Sequence, residues 1–406
     1  MVSPDSYDVI IAGGGPAGAS AAIDLASNGA SVLLVEEKAF PRPKLCGEFI
    51  SPECLTHFKR LGVLDQMMSS GGAALSETVF YSRRGHRVAV PSEWFGAGAT
   101  ALGLSRSEMD SKLLDRAKDA GVAVLEKAHA AGLLRDRGSV RGISVKTTGA
   151  TDEYRSLVTI DATGRARALA RFIDVNSGGV ERKRTKPTFV AFKAHLEASM
   201  VAEGACEIYF YSGGYGGLSG VEGGVSNLCF IVSANDVRRH GSNPEIVMRE
   251  VVMKNTRAAY TLSQARSITP WLSVSLDSFG RRKLTPAAGL LTIGDAASFI
   301  DPFTGSGMLM ALESGQVAAK IITCHLPQLR RADSPGLEGL AGDYQTEYSR
   351  KFDSRLRISG LLRRAAFVPR LAEAAMVLCG SNARLRRRLA RATRQHSNRE
   401  AGAAAG

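Results

Sequence analysis

The sequence is poor in tryptophan, has no closely paired cysteines and has no long apolar run. No window of its 406 residues approaches the roughly 18 uninterrupted apolar positions that a membrane-spanning helix needs, so a soluble or peripheral protein is expected. Residues Met1 to Ala12 carry no basic stretch ahead of their short apolar run, which argues against a secretory signal. The six cysteines (Cys46, Cys54, Cys206, Cys229, Cys324, Cys379) include no C-x-x-C pair, and the seven histidines are scattered. Zinc sites, thioredoxin-like chemistry and Ser/His/Asp hydrolysis therefore have no support, no metal is expected, and a reduced, cytoplasmic chain is the simplest reading. With 44% hydrophobic and 22% charged residues the composition is that of a globular protein and excludes disorder. Acidic residues are scarce only at one end. Residues 350–406 hold 14 basic and 3 acidic residues, leaving the first 349 nearly neutral within a net charge of +13. A nucleic-acid binder spreads its basic residues over a folded face, so nucleic acid is not an expected partner; the terminal segment alone calls for an electrostatic one.

What the sequence does have begins at its start. Val9, Ile10 and Ile11 read as a buried strand, followed by Gly13, Gly15 and Gly18 in G-x-G-x-x-G spacing, with Pro16 and Ala17 inside the motif. Ala19, Ala22, Ile23 and Ala26 continue at helical spacing, and a second strand, Ser31 to Val35, ends at Glu36 and Glu37. Each part has a mechanical reason. Gly13 permits the tight turn, Gly15 lets a pyrophosphate approach the backbone, and Gly18 allows helix and strand to pack closely. The free N–H groups at the helix start face the phosphates, and the acid after the second strand accepts hydrogen bonds from a ribose.

Farther along, helix is expected over 52–68 and 105–120, and strands near 78–90, 122–125, 140–147 and 157–160, the last ending at Asp161-Ala162-Thr163-Gly164. Residues 186–235 alternate apolar and polar as half-buried antiparallel strands do. Within them Gly213 to Gly224 holds seven glycines in twelve positions, which reads as a flexible turn or a loop admitting substrate close to the cofactor. Leu290 to Ile293 is another buried strand, delivering Gly294-Asp295. Gly305-Ser306-Gly307 then opens a helix bearing Met308, Leu312, Gly315 and Ala319. An acid at the carboxyl end of a parallel strand, followed by a glycine-rich helix start, is where a doubly wound sheet binds ligand.

Taken together these segments resemble flavoproteins of the p-hydroxybenzoate hydroxylase fold, most of all the geranylgeranyl reductase family. The resemblance runs from Asp8 to about Leu337. It rests on the dinucleotide motif, on Pro41-Arg42-Pro43-Lys44-Leu45-Cys46-Gly47, on Arg106 in Leu104-Ser105-Arg106, and on Gly294-Asp295 with Asp301-Pro302 and Gly305-Ser306-Gly307. It implies an α/β fold: a Rossmann-type FAD-binding domain (1–75, 101–172 and 280–330) with an inserted antiparallel-sheet substrate domain (76–100 and 173–279), then a basic helical C-terminal segment (331–406). FAD is the implied cofactor. Gly13, Gly15, Pro16, Ala17, Gly18, Glu36, Glu37, Lys44, Cys46, Gly47, Arg106, Gly294, Asp295, Pro302, Gly305, Ser306, Gly307 and Met308 are its implied contacts, Asp295 on the ribityl chain and the Gly305 to Met308 helix start at the flavin N1 and O2 edge.

The sequence also departs from the pattern. Where aromatic hydroxylases carry an Asp-Gly motif, this chain has Asp161-Ala162-Thr163-Gly164. Tyr209-Phe210-Tyr211-Ser212-Gly213-Gly214 stands where geranylgeranyl reductases carry Y-x-W-x-F-P, and the two tryptophans, Trp94 and Trp271, do not form the W-x-W-x-I-P of flavin halogenases. The expected activity is an FAD-dependent oxidoreduction of a hydrophobic small molecule, isoprenoid or polyketide-like, through flavin N5, with electrons from NAD(P)H or a protein donor. An aromatic monooxygenase and a non-catalytic electron carrier are the alternatives. Cys46 and Tyr211 are the candidate catalytic residues, and Tyr209, Tyr211 and Tyr215 the candidate substrate contacts. For Cys46 a buried, inert thiol, and for the tyrosines ordinary strand packing, are the competing readings.

The terminal segment reads as basic amphipathic helices: Leu356, Ile358, Leu361, Leu362 and Ala365 with Arg357, Arg363 and Arg364; then Leu371, Ala375 and Leu378; then Leu385 and Leu389 among Arg384, Arg386, Arg387, Arg388 and Arg391. Such helices either bind the anionic inner face of a membrane or cap the fold as a solvated surface.

Overall fold

The computed structural model describes residues 6–95, 100–176, 188–276, 279–331, 335–366, 376–377, 380 and 382–392. Strand β1 (Ser6–Ala12), helix α1 (Pro16–Ser27) and strand β2 (Val32–Val35) form the opening β-α-β unit. They belong to a seven-stranded sheet in the order Ala123–Leu125, β2, β1, Thr151–Asp161, Ser139–Lys146, His129–Asp136, with Leu290–Thr292 also paired to Thr151–Asp161. The strands flanking β1 run parallel to it, and Leu290–Thr292 extends the parallel set. The strands at 129–136 and 139–146 are an antiparallel addition.

Both faces of this sheet are covered, which is why β1 reads as a continuous apolar run. Ile11 and Leu34 face one core, shared with the helices Arg106–Asp119 and Gly307–Leu329. Ile10 and Leu33 face the other, shared with Ile143, Val145 and Leu169. Helix Pro335–Ala366 belongs to the first core through Leu337, Leu340, Tyr344, Tyr348 and Phe352, all buried. The early part of the basic C-terminal segment is therefore integral to the fold. The helix expected around Leu371, Ala375 and Leu378 lies outside the described residues.

The second sheet has eight strands, in the order Arg266–Ser267, Phe189–Glu197, Ser226–Ser233, Gly214–Gly220, Ala205–Tyr211, Glu77–Tyr81, Arg87–Pro91, with Leu272–Leu276 also paired to Phe189–Glu197. Among the described residues of this sheet only the pairing of Ala205–Tyr211 with Glu77–Tyr81 is parallel. Strand alternation gives the sheet two faces. Phe192, Leu228, Phe230, Tyr209 and Tyr211 pack against Val237, Val247, Met248 and Leu262 from short helices. Ala191, Tyr215 and Ile231 face the other way, toward Phe299, Phe303 and Leu45.

Two expectations are corrected here. The glycine-rich stretch expected as a loop is mostly the strand Gly214–Gly220, between two neighbours in the sheet. Its glycines serve close packing: a Cβ on Gly214 would lie 1.9 Å from the Ile231 carbonyl oxygen. The helix expected over 52–68 is two, Pro52–Leu61 and Leu64–Met68, because Gly62 turns left-handed (φ +75°) and ends the first.

Candidate active site

The dinucleotide motif lies where β1 meets α1. Gly13 has φ +106°, and a Cβ there would sit 2.4 Å from the Ala162 carbonyl oxygen; one on Gly18 would sit 1.9 Å from the Gly13 oxygen. No other residue satisfies both the turn and the approach. Gly15 caps α1 and Pro16 opens it, leaving the first amides bare. The guanidinium tips of Arg42 and Arg106 both come within 3.9 Å of where a Gly15 Cβ would be. Glu36, at the end of β2, accepts hydrogen bonds from the Gly14 amide (2.8 Å) and the Lys38 amide (3.0 Å). Glu37 points to solvent beside His129 and does not join this corner.

Helix Arg106–Asp119 delivers Arg106 to the same corner, with the Ser105 hydroxyl accepting from the Glu108 amide at its start. Arg106 pairs bidentately with the buried Asp110 at 2.8 and 2.7 Å, and Arg42 approaches the same carboxylate at 3.3 Å. Asp110, through a hydrogen bond and its charge, raises the Arg106 pKa above the ordinary value against the opposing effect of burial. Desolvation in the cleft, joined by the Arg42 and Arg106 charges, lowers the pKa of the Lys44 ammonium even though the residue keeps much surface exposed. Burial raises the Asp295 carboxyl, with Arg165, Arg106 and Lys44 opposing, so Asp295 lies within reach of the same cations. Arg42 Nε and Nη1 are buried and form no hydrogen bond within the protein, facing Glu36 at 3.5 Å and Asp110 at 3.3 Å. Cations beside a bare helix start suit a diphosphate.

The second glycine cluster sits next to the first. Strand Leu290–Thr292 leads to Gly294, whose amide donates to the Ser314 hydroxyl at 2.9 Å. Asp301 accepts from the Phe303 amide (2.9 Å) and the Tyr215 hydroxyl (2.7 Å), fixing the turn that holds Pro302 and ends at Gly305. Buried Ser306 precedes the helix that starts at Gly307 and Met308, and that helix packs so tightly on α1 that a Gly315 Cβ would lie 2.5 Å from the Ala17 carbonyl oxygen. Two helices with glycine-rich starts thus lie against each other.

The substrate candidates divide. Tyr215 faces the cofactor side, edge-on to Phe303 at 5.5 Å. Tyr209 and Tyr211 occupy the opposite face of the sheet, where Tyr209 donates to Glu207 (2.8 Å) and Tyr211 to the Ile231 carbonyl (3.0 Å). Being an even number of residues apart they share a face, and it is the helix-covered one, so the expectation that Tyr209 and Tyr211 meet substrate is corrected. Cys46 lies beside Arg106, its sulfur accepting the Glu48 amide at 3.4 Å, and Gly47 is exposed.

Sequence reasoning missed a cluster at this point. Glu48 is fully buried with φ +53°; its carboxylate takes the Lys193 ammonium at 2.7 Å, the His195 Nε2 at 2.6 Å and the Arg106 amide at 2.9 Å. Burial favours the neutral acid, but the His195 hydrogen bond and the Lys193 charge outweigh it and hold the Glu48 carboxyl below its ordinary value. The available signal was Lys193 and His195, two positions apart in an otherwise apolar strand.

The FAD binding domain family matches residues 6–331. The chain belongs to that family. This flavoprotein is an FAD-dependent oxidoreductase. It is 28% identical over 323 residues to a digeranylgeranylglycerophospholipid reductase of Methanosarcina mazei, covering 78% of this chain and 75% of the relative. It shares its fold with a geranylgeranyl bacteriochlorophyll reductase-like protein of Thermoplasma acidophilum (TM-score 0.78, 20% identity, 93% of this chain and 92% of that one). The flavin-dependent brominase Bmp2 has the same fold (TM-score 0.77, 22% identity, 96% and 93% covered).

Proposed function

We propose that this flavoprotein reduces carbon–carbon double bonds of an isoprenoid-type lipid, with electrons supplied by NAD(P)H or a protein donor. The observation that carries the reading is the apolar, aromatic face of the second sheet, turned toward the cofactor loops. Phe210, Phe80 and Tyr215 lie within 6 Å of the Phe303 ring, measured between ring centroids, and Phe279 stacks on Phe299 at 5.0 Å. An isoprenoid chain matches such a wall, and it offers no polar group for a hydrogen-bonding pocket to read. The Methanosarcina mazei relative is named as a reductase of a digeranylgeranyl lipid. A cavity of about 80 Å³ bordered by Phe279, Phe299, Ile300 and Leu356 opens at the edge of this face, beside helix Pro335–Ala366.

FAD, once bound, supplies the hydride. The protein's own residues do the rest. Gly13 to Gly18, Arg42, Lys44 and Arg106 would hold the diphosphate, Glu36 a ribose and Asp295 the ribityl chain. The Gly307 helix start would stabilise negative charge at the ring. Tyr215, through Asp301, fixes the turn that presents that helix start. Incubating the FAD-loaded protein with dithionite and a geranylgeranyl lipid should yield saturated prenyl chains. A hydroxylated product that requires oxygen would overturn the reading in favour of a monooxygenase.

The basic terminal segment fits an anionic membrane surface, where such a lipid resides. Among the described residues no helix is long and apolar enough to cross a membrane. Helix Ala383–Ala392 carries Arg384, Arg386, Arg387 and Arg388, and Leu361 is 65% exposed. At about 1 kcal/mol per basic residue near an anionic leaflet, a few such contacts localise the enzyme. Flotation with anionic liposomes at low salt should carry the full chain upward, and removal of residues 380–406 should abolish it.

A further inference from the structure

We propose that Glu48, Lys193 and His195 form the proton-supplying site of the reaction, with Lys193 as the group that protonates the substrate. This rests on the reductase reading above and names residues that it leaves unassigned. Saturating a double bond takes a hydride on one carbon and a proton on its neighbour. The proton donor must lie on the substrate-side wall, away from bulk water, and still be reloaded from it.

Among the described residues the geometry meets those demands around Glu48. Strand Phe189–Glu197 sends alternate residues to the face turned toward the cofactor loops, and Lys193 and His195 follow Ala191 on that face. Lys193 is 3% exposed. Its cross-strand neighbours are Cys229 and Leu272. His195 keeps 18% of its side chain exposed, so one end of the cluster reaches water and the other does not. The Glu48 carboxylate bridges them, one oxygen on the ammonium and the other on the imidazole. Its backbone lies in the Cys46-Gly47-Glu48 segment beside Arg106, which ties the cluster to the cofactor cleft.

Three titratable groups packed nearby belong to the same account. The Cys46 sulfur receives the Glu48 amide and lies against the Arg106 guanidinium, so it acts as an acceptor there and not as the acid. Burial pushes the Cys229 thiol far up, with the Cys46 charge adding to the effect, and keeps it protonated and inert. Arg106 is committed to Asp110. Tyr215, on the same wall, gives its hydroxyl hydrogen to Asp301, which leaves Lys193 as the proton donor there.

The balance is simple. The hydride brings two electrons to one alkene carbon and the π bond breaks. The neighbouring carbon forms a C–H bond with a proton from the Lys193 ammonium, leaving a neutral amine. Glu48 passes a proton from His195 to that amine, and His195 recovers one from water. Lys193 is the catalytic residue; Glu48 and His195 act through it.

Lys193→Arg keeps the charge beside Glu48 but removes a group able to give up its proton. Purified holoenzyme carrying that change should retain FAD and reduce a geranylgeranyl lipid, with dithionite as reductant, about 100-fold more slowly, in line with the general-acid contribution. Lys193→Ala should be equally slow and be rescued by millimolar ethylamine. A readout independent of turnover uses FAD-free protein with ¹⁵N-labelled histidine. There the His195 Nε2 resonance should shift in Glu48→Gln, which changes the hydrogen-bond partner of that nitrogen, and stay in place in Cys46→Ser. Wild-type rate in Lys193→Arg, no amine rescue of Lys193→Ala, or an unmoved His195 Nε2 resonance in Glu48→Gln overturns the assignment. A wild-type enzyme that reduces no prenyl lipid instead removes the reductase reading, before any variant is made.

Discussion

The two sheets of this flavoprotein relate sequence to site in opposite ways. In the parallel sheet the groups proposed to hold the cofactor are backbone amides and side chains at strand ends, so neighbours in sequence are neighbours in space: Gly13 to Gly18 follow β1, Glu36 follows β2, and Gly294-Asp295 follow Leu290–Thr292. In the antiparallel sheet the site is a face, and membership depends on whether a residue lies at an odd or even position along its strand. Tyr209 and Tyr211 miss that face by one residue, and Tyr215 reaches it. The first sheet is built on local spacing and the second on registry.

Substitutions that separate the two follow in decreasing order of effect. Gly18→Val should abolish both folding of the opening β-α-β unit and flavin retention, because its side chain would start 1.9 Å from the Gly13 oxygen. Purification without yellow colour, with an early unfolding transition, is the expected result. Next, Arg106→Leu removes the bidentate partner of the buried Asp110 carboxylate, leaving the 3.3 Å Arg42 contact, and should cost about 3 kcal/mol of stability. Denaturant melts of FAD-free protein read that loss, and flavin titration should show weakened binding alongside it.

A third comparison uses pH. Burial lowers the pKa of His57, beneath the long helices, from 6.5 to about 4, with the Arg60, Lys351 and Arg355 charges adding and Glu313 opposing. The unfolded chain therefore binds the extra proton between those values. Stability is fully present above pH 6.5 and is lost as pH falls toward 4, by up to about 3 kcal/mol. Replacing His57 by Gln should flatten melting temperature against pH in that window without altering prenyl reduction. The smallest effects are the most discriminating for the second sheet. Tyr211→Phe removes the hydrogen bond to Ile231 and Tyr215→Phe the one to Asp301, at about 1 kcal/mol for each bond lost. Only Tyr215→Phe should slow turnover, because only its partner, Asp301, fixes a cofactor loop.

These differences explain what could be read in advance. The glycine fingerprint, Glu36, Arg106, Asp295 and the second glycine helix are legible because each is defined within a few residues. Arg42 and Asp110 escape because their role appears only when the 40s loop and helix Arg106–Asp119 meet at Gly15. The Glu48–Lys193 pair spans 145 residues, and nothing local to Glu48 points to it. The glycine-rich strand Gly214–Gly220 reads as a loop from composition, since only its neighbours' approach explains the missing side chains. Lys193 and His195 were open to notice: two charged or polar groups at alternate positions of an apolar strand need a buried partner.

The central claim is that hydride and proton reach a prenyl double bond from two sides of one cleft, the cofactor on one and Lys193 on the other. Anaerobically reduced holoenzyme, mixed in deuterium oxide with a geranylgeranyl lipid, tests it in one experiment. The account predicts reoxidation of the flavin by the lipid itself, with solvent deuterium on both carbons of the former double bond, because the hydrogen at N5 of the reduced flavin also exchanges with solvent. A flavin that stays reduced until oxygen is admitted, leaving the lipid unchanged, would contradict it.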